Sequence, residues 1–207
     1  MKKLILRMGV SLDGFMAGPN NNLDWMFPFM GSEGKQWLAE RLSRGGAHLM
    51  GSHTYADMAA YWPKSNDVLA PCMNEIPKIV FSRKAPSALL GGTTQALKDA
   101  SAAIPIDPTI AKSWTEPRVV SGDLAQEIER LKAEPGKDLI AHGGVAFARS
   151  LAASGLVDEY WLLVSPIAIG RGQGLFSELS QPQPFDLVSS TSFPTGVCAQ
   201  ILRPKRA

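Results

Sequence analysis

The stretch DLIAHGGVAFARSLAASG, from Asp138 to Gly155, predicts the local structure around which the chain is organised. A short apolar run meets the glycine pair Gly143-Gly144, and apolar residues at helical spacing follow it. Gly155 is suited to end this helix, because glycine adopts the left-handed conformation at little cost. A strand that breaks at two glycines into a helix N-terminus directs free backbone N–H groups at an anion. The same pattern also suits a tight strand–helix corner without a ligand.

The composition is that of an ordinary globular protein. The chain has 207 residues, of which 45% are hydrophobic and 19% are charged, enough for one domain with a substantial core. Its net charge is +2, and its lysines and arginines are scattered, so we expect no nucleic-acid partner. The two cysteines and three histidines are dispersed, and we expect no metal site. Apolar runs are too short for a signal peptide or a membrane span, so we expect a cytoplasmic protein without a membrane partner.

Alternation of strands and helices along the chain predicts an α/β fold. Strands are predicted at residues 4–10, 47–50, 78–82, 118–120, 138–141 and 156–164, and helices at residues 32–42, 52–61, 124–133 and 145–155. Residues 185–192 and 197–202 are typical of a closing antiparallel hairpin. We therefore predict one domain over residues 1–207, with a mostly parallel sheet, flanking helices and a C-terminal antiparallel hairpin. Residues 85–112 are interpreted as an insertion or a long connection. The expected N-caps of the first three of these helices are Ser32, then either Ser52 or Thr54, and then Ser121.

Three of the predicted strands end at residues that suit an anion. The helix N-termini after Gly51 and after Gly143-Gly144 can each direct N–H groups and a positive dipole end at a pyrophosphate. Ser82 and the Arg83-Lys84 pair can bind a further phosphate, with a solvated strand exit as the alternative. Because the carboxyl ends of parallel strands meet at one edge, we predict that these corners face one crevice. The fingerprint G-x-G-x-x-G does not follow the first strand, which argues against a Rossmann fold.

Five motifs occur along the chain in a specific order. They are SLDGFMAGPNNNLDW (residues 11–25), MGSHTY (50–55), VFSRK (80–84), VVSGDLAQEIERLKAEPGKDLIAHGG (119–144) and GLVDEYWLLVSPIAIGRGQGLF (155–176). Together they resemble the dihydrofolate-reductase-like family, which includes the reductase domain of bifunctional riboflavin-biosynthesis deaminase–reductases. The match covers nearly the whole chain and is weakest over residues 85–112.

The resemblance implies a twisted, mostly parallel sheet of the dihydrofolate-reductase-like type and an NADPH-dependent reductase. The residues that it assigns to the cofactor are Val10, Ala17 and Gly18 beside the nicotinamide, Gly51, Ser52, His53 and Thr54 at the phosphates, Ser82 and Arg83 at the 2′-phosphate with Lys84 beside them, and Gly143, Gly144, Val145 and Ala146 at the pyrophosphate. In dihydrofolate reductases a cis peptide joins the two glycines, which is costly between non-proline residues and so usually functional. Related domains associate through their C-terminal strands, which favours a homodimer.

The substrate side of the chain departs from the family pattern. In dihydrofolate reductases an acidic residue follows the loop tryptophan by five positions, and counting from Trp25 leads to Met30. In the riboflavin-pathway reductases a lysine follows the SLDG segment, and here Phe15 takes its place. Glu33 is the carboxylate nearest to Met30 in the sequence. It is either a catalytic group or a negative charge in the first turn of a helix. Asp13 is either a catalytic residue or a cap of its own turn. We expect Trp25 to line the substrate pocket.

Three functions are consistent with these residues. The first is an NADPH-dependent reductase like 5-amino-6-(5-phosphoribosylamino)uracil reductase, with hydride transfer to a heterocyclic or carbonyl small-molecule substrate. Water, Glu33 or Asp13 would then protonate the product. The second is a sensing domain that binds NADPH without turnover, which the changed substrate-side residues favour. The third is a dihydrofolate reductase, which the missing carboxylate opposes. The apolar loop at residues 23–30 either packs on the core or forms a pocket wall, and a pocket wall favours an enzyme.

Overall fold

The computed structural model describes residues 1–82 and 113–205 of the chain. The strands are β1 (Leu4–Ser11), β2 (Phe15–Ala17), β3 (Ala47–Gly51), β4 (Lys78–Phe81), β5 (Arg118–Val120), β6 (Leu139–Ala141), β7 (Glu159–Ser165), β8 (Gln173–Gly174), β9 (Phe185–Ser192) and β10 (Cys198–Pro204). The α-helices are α1 (Ser32–Leu42), α2 (Ser52–Tyr61), α3 (Ala70–Glu75), α4 (Leu124–Ala133) and α5 (Val145–Ala153). Short 3-10 helices occupy Pro19–Asn21, Asp24–Phe29 and Trp62–Lys64. The predicted insertion at residues 85–112 lies outside the described residues.

Eight of the described strands form one sheet in the order β5-β4-β3-β6-β1-β7-β10-β9. The pairs from β5 to β7 are all parallel, whereas β10 is antiparallel to both β7 and β9. The predicted α/β fold, with a mostly parallel sheet and a C-terminal antiparallel pair, is therefore confirmed. Strands β2 and β8 form a separate antiparallel pair. The sequence did not indicate that pair, because strands of two or three residues are too short to show alternation.

The core lies on both faces of this sheet. Because successive strand residues point to opposite faces, neighbours on β1 enter different clusters. Leu4 and Leu6 pack with residues of α4 and α5, whereas Ile5 packs with residues of α1, α2 and α3. The helix residues buried against the sheet are Ile128, Leu131, Ala148 and Leu151 on the first face and Trp37, Leu38, Leu42, Tyr55, Cys72 and Met73 on the second. The same alternation directs Arg7 toward the face that α1 covers.

Glycines precede both α1 and α2, which corrects two predicted caps. Gly31, and not Ser32, is the N-cap of α1, and Ser32 is already helical. Gly51 is the N-cap of α2, and neither Ser52 nor Thr54 makes a side-chain capping bond. The sequence favoured the hydroxyl residues because their oxygens accept from first-turn N–H groups. In the folded chain α1 and α2 instead start one residue earlier than Ser32 and Ser52 caps require, and α2 starts three residues earlier than a Thr54 cap requires.

The ends of α4 and α5 give one further correction and one confirmation. Asp123, and not Ser121, caps α4, and its carboxylate accepts a hydrogen bond from the Gln126 amide at 3.1 Å. Gly155 follows α5 with φ of +68°, which confirms it as the residue that ends this helix. Within residues 1–82 and 113–205, each helix is too short or too polar to traverse a lipid bilayer.

Candidate functional site

The corners predicted from the sequence meet at one edge of the sheet. Strands β4, β3 and β6 are adjacent and parallel, so their carboxyl ends lie side by side. The Gly51 amide donates a hydrogen bond to the Gly143 carbonyl at 3.4 Å, which joins the second and third of these corners directly. Ser82 follows β4 at the same edge. The Arg83-Lys84 pair lies outside the described residues.

The turn from β6 into α5 requires glycine at two consecutive positions. Gly143 has φ of +82° and Gly144 has φ of +53°. A Cβ atom on Gly143 would lie 2.7 Å from the Met8 sulfur, and one on Gly144 would lie 2.8 Å from the Thr54 hydroxyl. The positive φ angles therefore strain any side chain at either position, and each new side chain would also displace a neighbouring one. The described chain contains no cis peptide bond, so this turn differs from the glycine pair of dihydrofolate reductases.

The N-termini of α2 and α5 are brought together by this turn. Their N-cap residues are Gly51 and Gly144, and no described side chain caps either helix. The first turn of each helix leaves backbone N–H groups without intrahelical partners, and both dipoles have their positive ends here. Ser52 and His53 belong to the first turn of α2, and the Val145-Ala146 pair belongs to that of α5. Two uncapped helix starts at one edge suit a pyrophosphate.

The segment that the resemblance assigns to the nicotinamide lies at the end of β1, next to β6. Val10 and Ala17 are buried, so these residues can face a ligand mainly through their backbone. Gly172, in the glycine-rich loop after β7, approaches so closely that a Cβ atom there would meet the Ala17 carbonyl oxygen at 2.2 Å. This contact fixes the loop against Ala17 and Gly18. It also explains why the loop needs glycine at that position.

Asp13 ties the first turn of the chain to the same loop. Its carboxylate accepts hydrogen bonds from the Ser11 hydroxyl at 2.6 Å and from the amides of Ile169 and Gly170 at 3.1 and 2.7 Å. The Ser11 hydroxyl, followed by the two loop amides, lowers the pKa of Asp13. The carboxylate therefore stays ionised at neutral pH. These contacts support the turn-capping interpretation over a catalytic one.

Replacing Asp13 with alanine is expected to loosen the loop after β7. Both amides lose an ionised acceptor, and hydrogen bonds to charged groups are stronger than neutral ones. We expect amide hydrogen exchange at Ile169 and Gly170 to accelerate on the order of tenfold. The measurement is hydrogen exchange followed by NMR, with Asp186→Ala as a control in an exposed carboxylate on β9. Unchanged exchange at both amides would contradict the role given to Asp13.

Glu33 and Trp25 lie near each other in sequence but differ in environment. Glu33 is exposed in the first turn of α1 and accepts a hydrogen bond from the Ser32 hydroxyl at 2.9 Å. Its own backbone amide, and then Ser32, lower the pKa of Glu33, so it too is ionised at neutral pH. Trp25 lies in the 3-10 helix Asp24–Phe29, and its indole Nε1 is buried without a hydrogen-bond partner in the described chain.

A narrow pocket opens on the α1 side of the sheet, between β1, α1 and the turn that joins β9 to β10. A water-sized sphere reaches about 20 Å³ of it, and the empty space is about 430 Å³ when the mouth and the solvent above it are counted. Most of its lining is apolar: Met26, Phe29, Met30, Leu38, Leu163, Phe193 and Val197. Met30, at the position where dihydrofolate reductases carry an acid, thus lines the pocket, and none of its described lining residues is Asp or Glu. Trp25 is not among the lining residues, whereas its neighbour Met26 is.

Arg7 and Lys35 are the charged residues among the described lining of this pocket, and neither was predicted as a site residue from the sequence. Arg7 lies within β1, and its Nε atom is buried without a hydrogen-bond partner in the described chain. Burial lowers the pKa of Arg7 to about 10, so the guanidinium remains charged at neutral pH. Lys35, the other cation of the lining, is paired with Asp67 at 2.6 Å. The available signal was a charged residue within an otherwise apolar strand, LILRMGV.

A buried histidine pair stands directly behind the glycine turn. His142 Nε2 lies 2.7 Å from His48 Nδ1, and His48 Nε2 lies 3.1 Å from the Cys72 carbonyl oxygen. A carbonyl only accepts, so His48 carries its proton on Nε2 and accepts from His142 on Nδ1. Burial lowers the pKa of His48 to about 4 and that of His142 well below its usual value. Both rings are therefore neutral at pH 7, and their distance along the chain hid the pair from sequence analysis.

The sheet order, with two uncapped helix starts after β3 and β6, is that of a dihydrofolate-reductase-like α/β domain. The chain belongs to the RibD C-terminal domain family, whose model matches residues 2–199. The resemblance drawn from the five motifs is thereby confirmed. Membership in this family indicates an oxidoreductase.

Individual relatives agree with this assignment. The uncharacterized protein YyaP of Bacillus subtilis (strain 168) is 28% identical over 198 residues, which cover 95% of this chain and 92% of that protein. A proposed riboflavin biosynthesis protein from Shewanella sp. PV-4 superposes with a TM-score of 0.69 at 20% identity, covering 99% of both chains. A deaminase/5-amino-6-(5-phosphoribosylamino)uracil reductase from Thermotoga maritima superposes with a TM-score of 0.63 at 16% identity, covering 99% of this chain and 57% of that one. At these identities the two structures show a shared fold.

Proposed function

We propose that this protein is an NADPH-dependent oxidoreductase of the RibD reductase-domain type, acting on a heterocyclic or carbonyl substrate. The observation that carries the proposal is the hydrogen bond from Gly51 to Gly143, which sets the N-termini of α2 and α5 side by side. Two positive dipole ends and the free amides beside them suit the two phosphates of a dinucleotide. The family assignment and the reductase named among the structural relatives support the same class of reaction.

The protein's part in the proposed reaction is binding and orientation. Nicotinamide, when bound, supplies a hydride, and the chain's own residues hold the cofactor and shape the substrate pocket. The residues that would hold it are Gly51, Ser52, His53, Thr54, Gly143, Gly144, Val145 and Ala146 at the pyrophosphate, Ser82, Arg83 and Lys84 at the 2′-phosphate, and Val10, Ala17 and Gly18 at the nicotinamide. Because the pKa values of Asp13 and Glu33 are lowered, we assign protonation of the product to water.

The pocket bears on the alternative functions. A dihydrofolate reductase needs a carboxylate for the pteridine, and Met30 lines the pocket where that carboxylate would stand. This argues against dihydrofolate as the substrate. The remaining alternative is a sensing domain that binds NADPH without turnover. An assay for NADPH oxidation in the presence of substrate distinguishes it from an enzyme. The pocket, which a sensing function does not require, favours an enzyme.

Arg83 is expected to give the protein its preference for NADPH over NADH. The Arg83→Ala variant should bind NADPH more weakly by roughly 1.5–3 kcal/mol, as for a charge-assisted hydrogen bond, with little change toward NADH. The measurement is titration with each cofactor, followed by quenching of the five tryptophans. Arg44→Ala, in an exposed arginine just after α1, is the matched control. Equal affinity of the unaltered protein for both cofactors would remove the role given to Arg83.

A further inference from the structure

We propose that the pocket beside Arg7 is a carboxylate-binding substrate site, in which the Arg7 guanidinium and the Thr195 hydroxyl bind the two oxygens of a small, unphosphorylated carboxylate. This site would set the substrate class of the oxidoreductase proposed above. That the ligand is a substrate rests on the proposed function. Two unpartnered polar groups at one apolar pocket carry it.

The first of these groups is Arg7, a partly buried cation with no counter-ion among residues 1–82 and 113–205. Arg7 stays charged at neutral pH, and its Nε atom has no partner in the described chain. A charge held away from water destabilises the protein unless an anion or several hydrogen bonds compensate it. The described lining of the pocket contains no carboxylate that could serve. An anionic ligand would supply the missing partner.

The second group is the hydroxyl of Thr195, from the opposite end of the chain. Thr195 lies in the turn between β9 and β10 and lines the same pocket. Its Oγ1 atom is buried and has no hydrogen-bond partner among the described residues. The turn packs tightly on the start of α1, since a Cβ atom on Gly31 would lie 2.6 Å from the Thr195 methyl group. Thr195 is thus held in place with a free donor, which suits an oxygen acceptor.

The charge balance of the pocket favours a carboxylate over a phosphate. A guanidinium binds a carboxylate through two parallel hydrogen bonds, and the pair is neutral overall. A phosphate dianion would need a second cation, and Lys35 is already paired with Asp67 at 2.6 Å. A neutral carbonyl would leave the Arg7 charge uncompensated.

The walls and the size of the pocket set the remainder of the ligand. Phe29, Leu38 and Phe193 offer apolar contact to a ligand's carbon skeleton. The space that a water-sized sphere can reach is only about 20 Å³, far below the roughly 300–1,000 Å³ of small-molecule sites, so the closed part of the pocket takes little more than the carboxylate group itself. A bound ligand therefore places its carboxylate between Arg7 and Thr195 and extends its carbon skeleton toward the open mouth.

Three probes of one shape test the proposal by isothermal titration calorimetry: benzoate, benzamide and phenyl phosphate. We expect benzoate to bind the unaltered protein more tightly than either of the others. In Arg7→Met the affinity for benzoate should fall roughly tenfold or more, and in Thr195→Val roughly three- to tenfold. Arg7→Lys, which keeps the charge but not the planar fork, should fall between the unaltered protein and Arg7→Met. Arg44→Met, in the exposed arginine used as a control above, should leave the affinity unchanged.

The proposal is overturned if the protein does not bind benzoate, if Arg7→Met binds it normally, or if benzamide or phenyl phosphate binds more tightly. Thermal melts of each variant confirm that it is folded. NADPH titration of the same samples separates the two proposals. Benzoate binding without NADPH binding would contradict the proposed function and leave the carboxylate site standing. NADPH binding without benzoate binding would contradict only the carboxylate site.

Discussion

Replacing Gly144 with valine is expected to abolish NADPH binding and to lower the free energy of unfolding by about 2–4 kcal/mol. The backbone at Gly144 has φ of +53° and ψ of 144°, a region that β-branched residues avoid. The new Cβ would also lie 2.8 Å from the Thr54 hydroxyl on α2. Relief of that clash displaces the Thr54 side chain, and the strained backbone at residue 144 disturbs the helix start on which the proposed pyrophosphate site depends. Urea denaturation measures the first effect, and tryptophan quenching by NADPH measures the second.

Gly155→Val is the matched control for this variant. Gly155 also has positive φ, +68°, but it lies at the opposite end of α5, and a Cβ atom there meets nothing within 4 Å. Its replacement should lower stability through backbone strain alone and leave NADPH affinity unchanged. If Gly144→Val bound NADPH as tightly as Gly155→Val, the glycine turn would not be part of the cofactor site.

Lys78 is expected to make the protein more stable as the pH rises from 7 to 10. Its side chain is buried beneath Trp114 and donates hydrogen bonds to the Asn74 carbonyl and the Ser113 hydroxyl, each at 2.9 Å. Burial lowers the pKa of Lys78 from 10.5 to about 7 in the folded protein. Between these two values the unfolded chain binds a proton that the folded chain does not, so the free energy of unfolding increases with pH. The gain is about 3 kcal/mol from pH 7 to pH 10.

The contribution of Lys78 is measured as a difference between variants. Urea denaturation at several pH values should show the rise in the unaltered protein and a much flatter profile in Lys78→Met. Lys137→Met, in an exposed lysine before β6, should keep the original slope. A slope that survives in Lys78→Met would show that this lysine is charged in the folded protein, held by its two hydrogen bonds and the Trp114 ring.

Much of the fold followed from local patterns in the sequence. Apolar runs of four to eight residues and apolar residues at helical spacing depend on near neighbours alone, and they predicted most strands and α1, α2, α4 and α5. Strands β2 and β8 were missed because they lie beside or within segments dense in turn residues, and the six residues of α3 are too few for helical spacing to show. The caps at Gly31 and Asp123 were missed by one or two residues, because several neighbouring residues can serve and packing selects one.

The candidate site likewise has a part that the local sequence predicted and a part that it did not. The sequence by itself determined the corners at Gly51, Ser82 and Gly143, because a glycine turn after an apolar strand is a local signal and parallel strands align their carboxyl ends. Only the tertiary structure decided that Arg7 and Thr195 share one pocket. Residues from the two ends of the chain meet there because β1 and β10 flank β7 in the sheet and the hairpin turn folds onto α1. Strand order and turn packing arise from long-range burial of apolar surface, which no local pattern records.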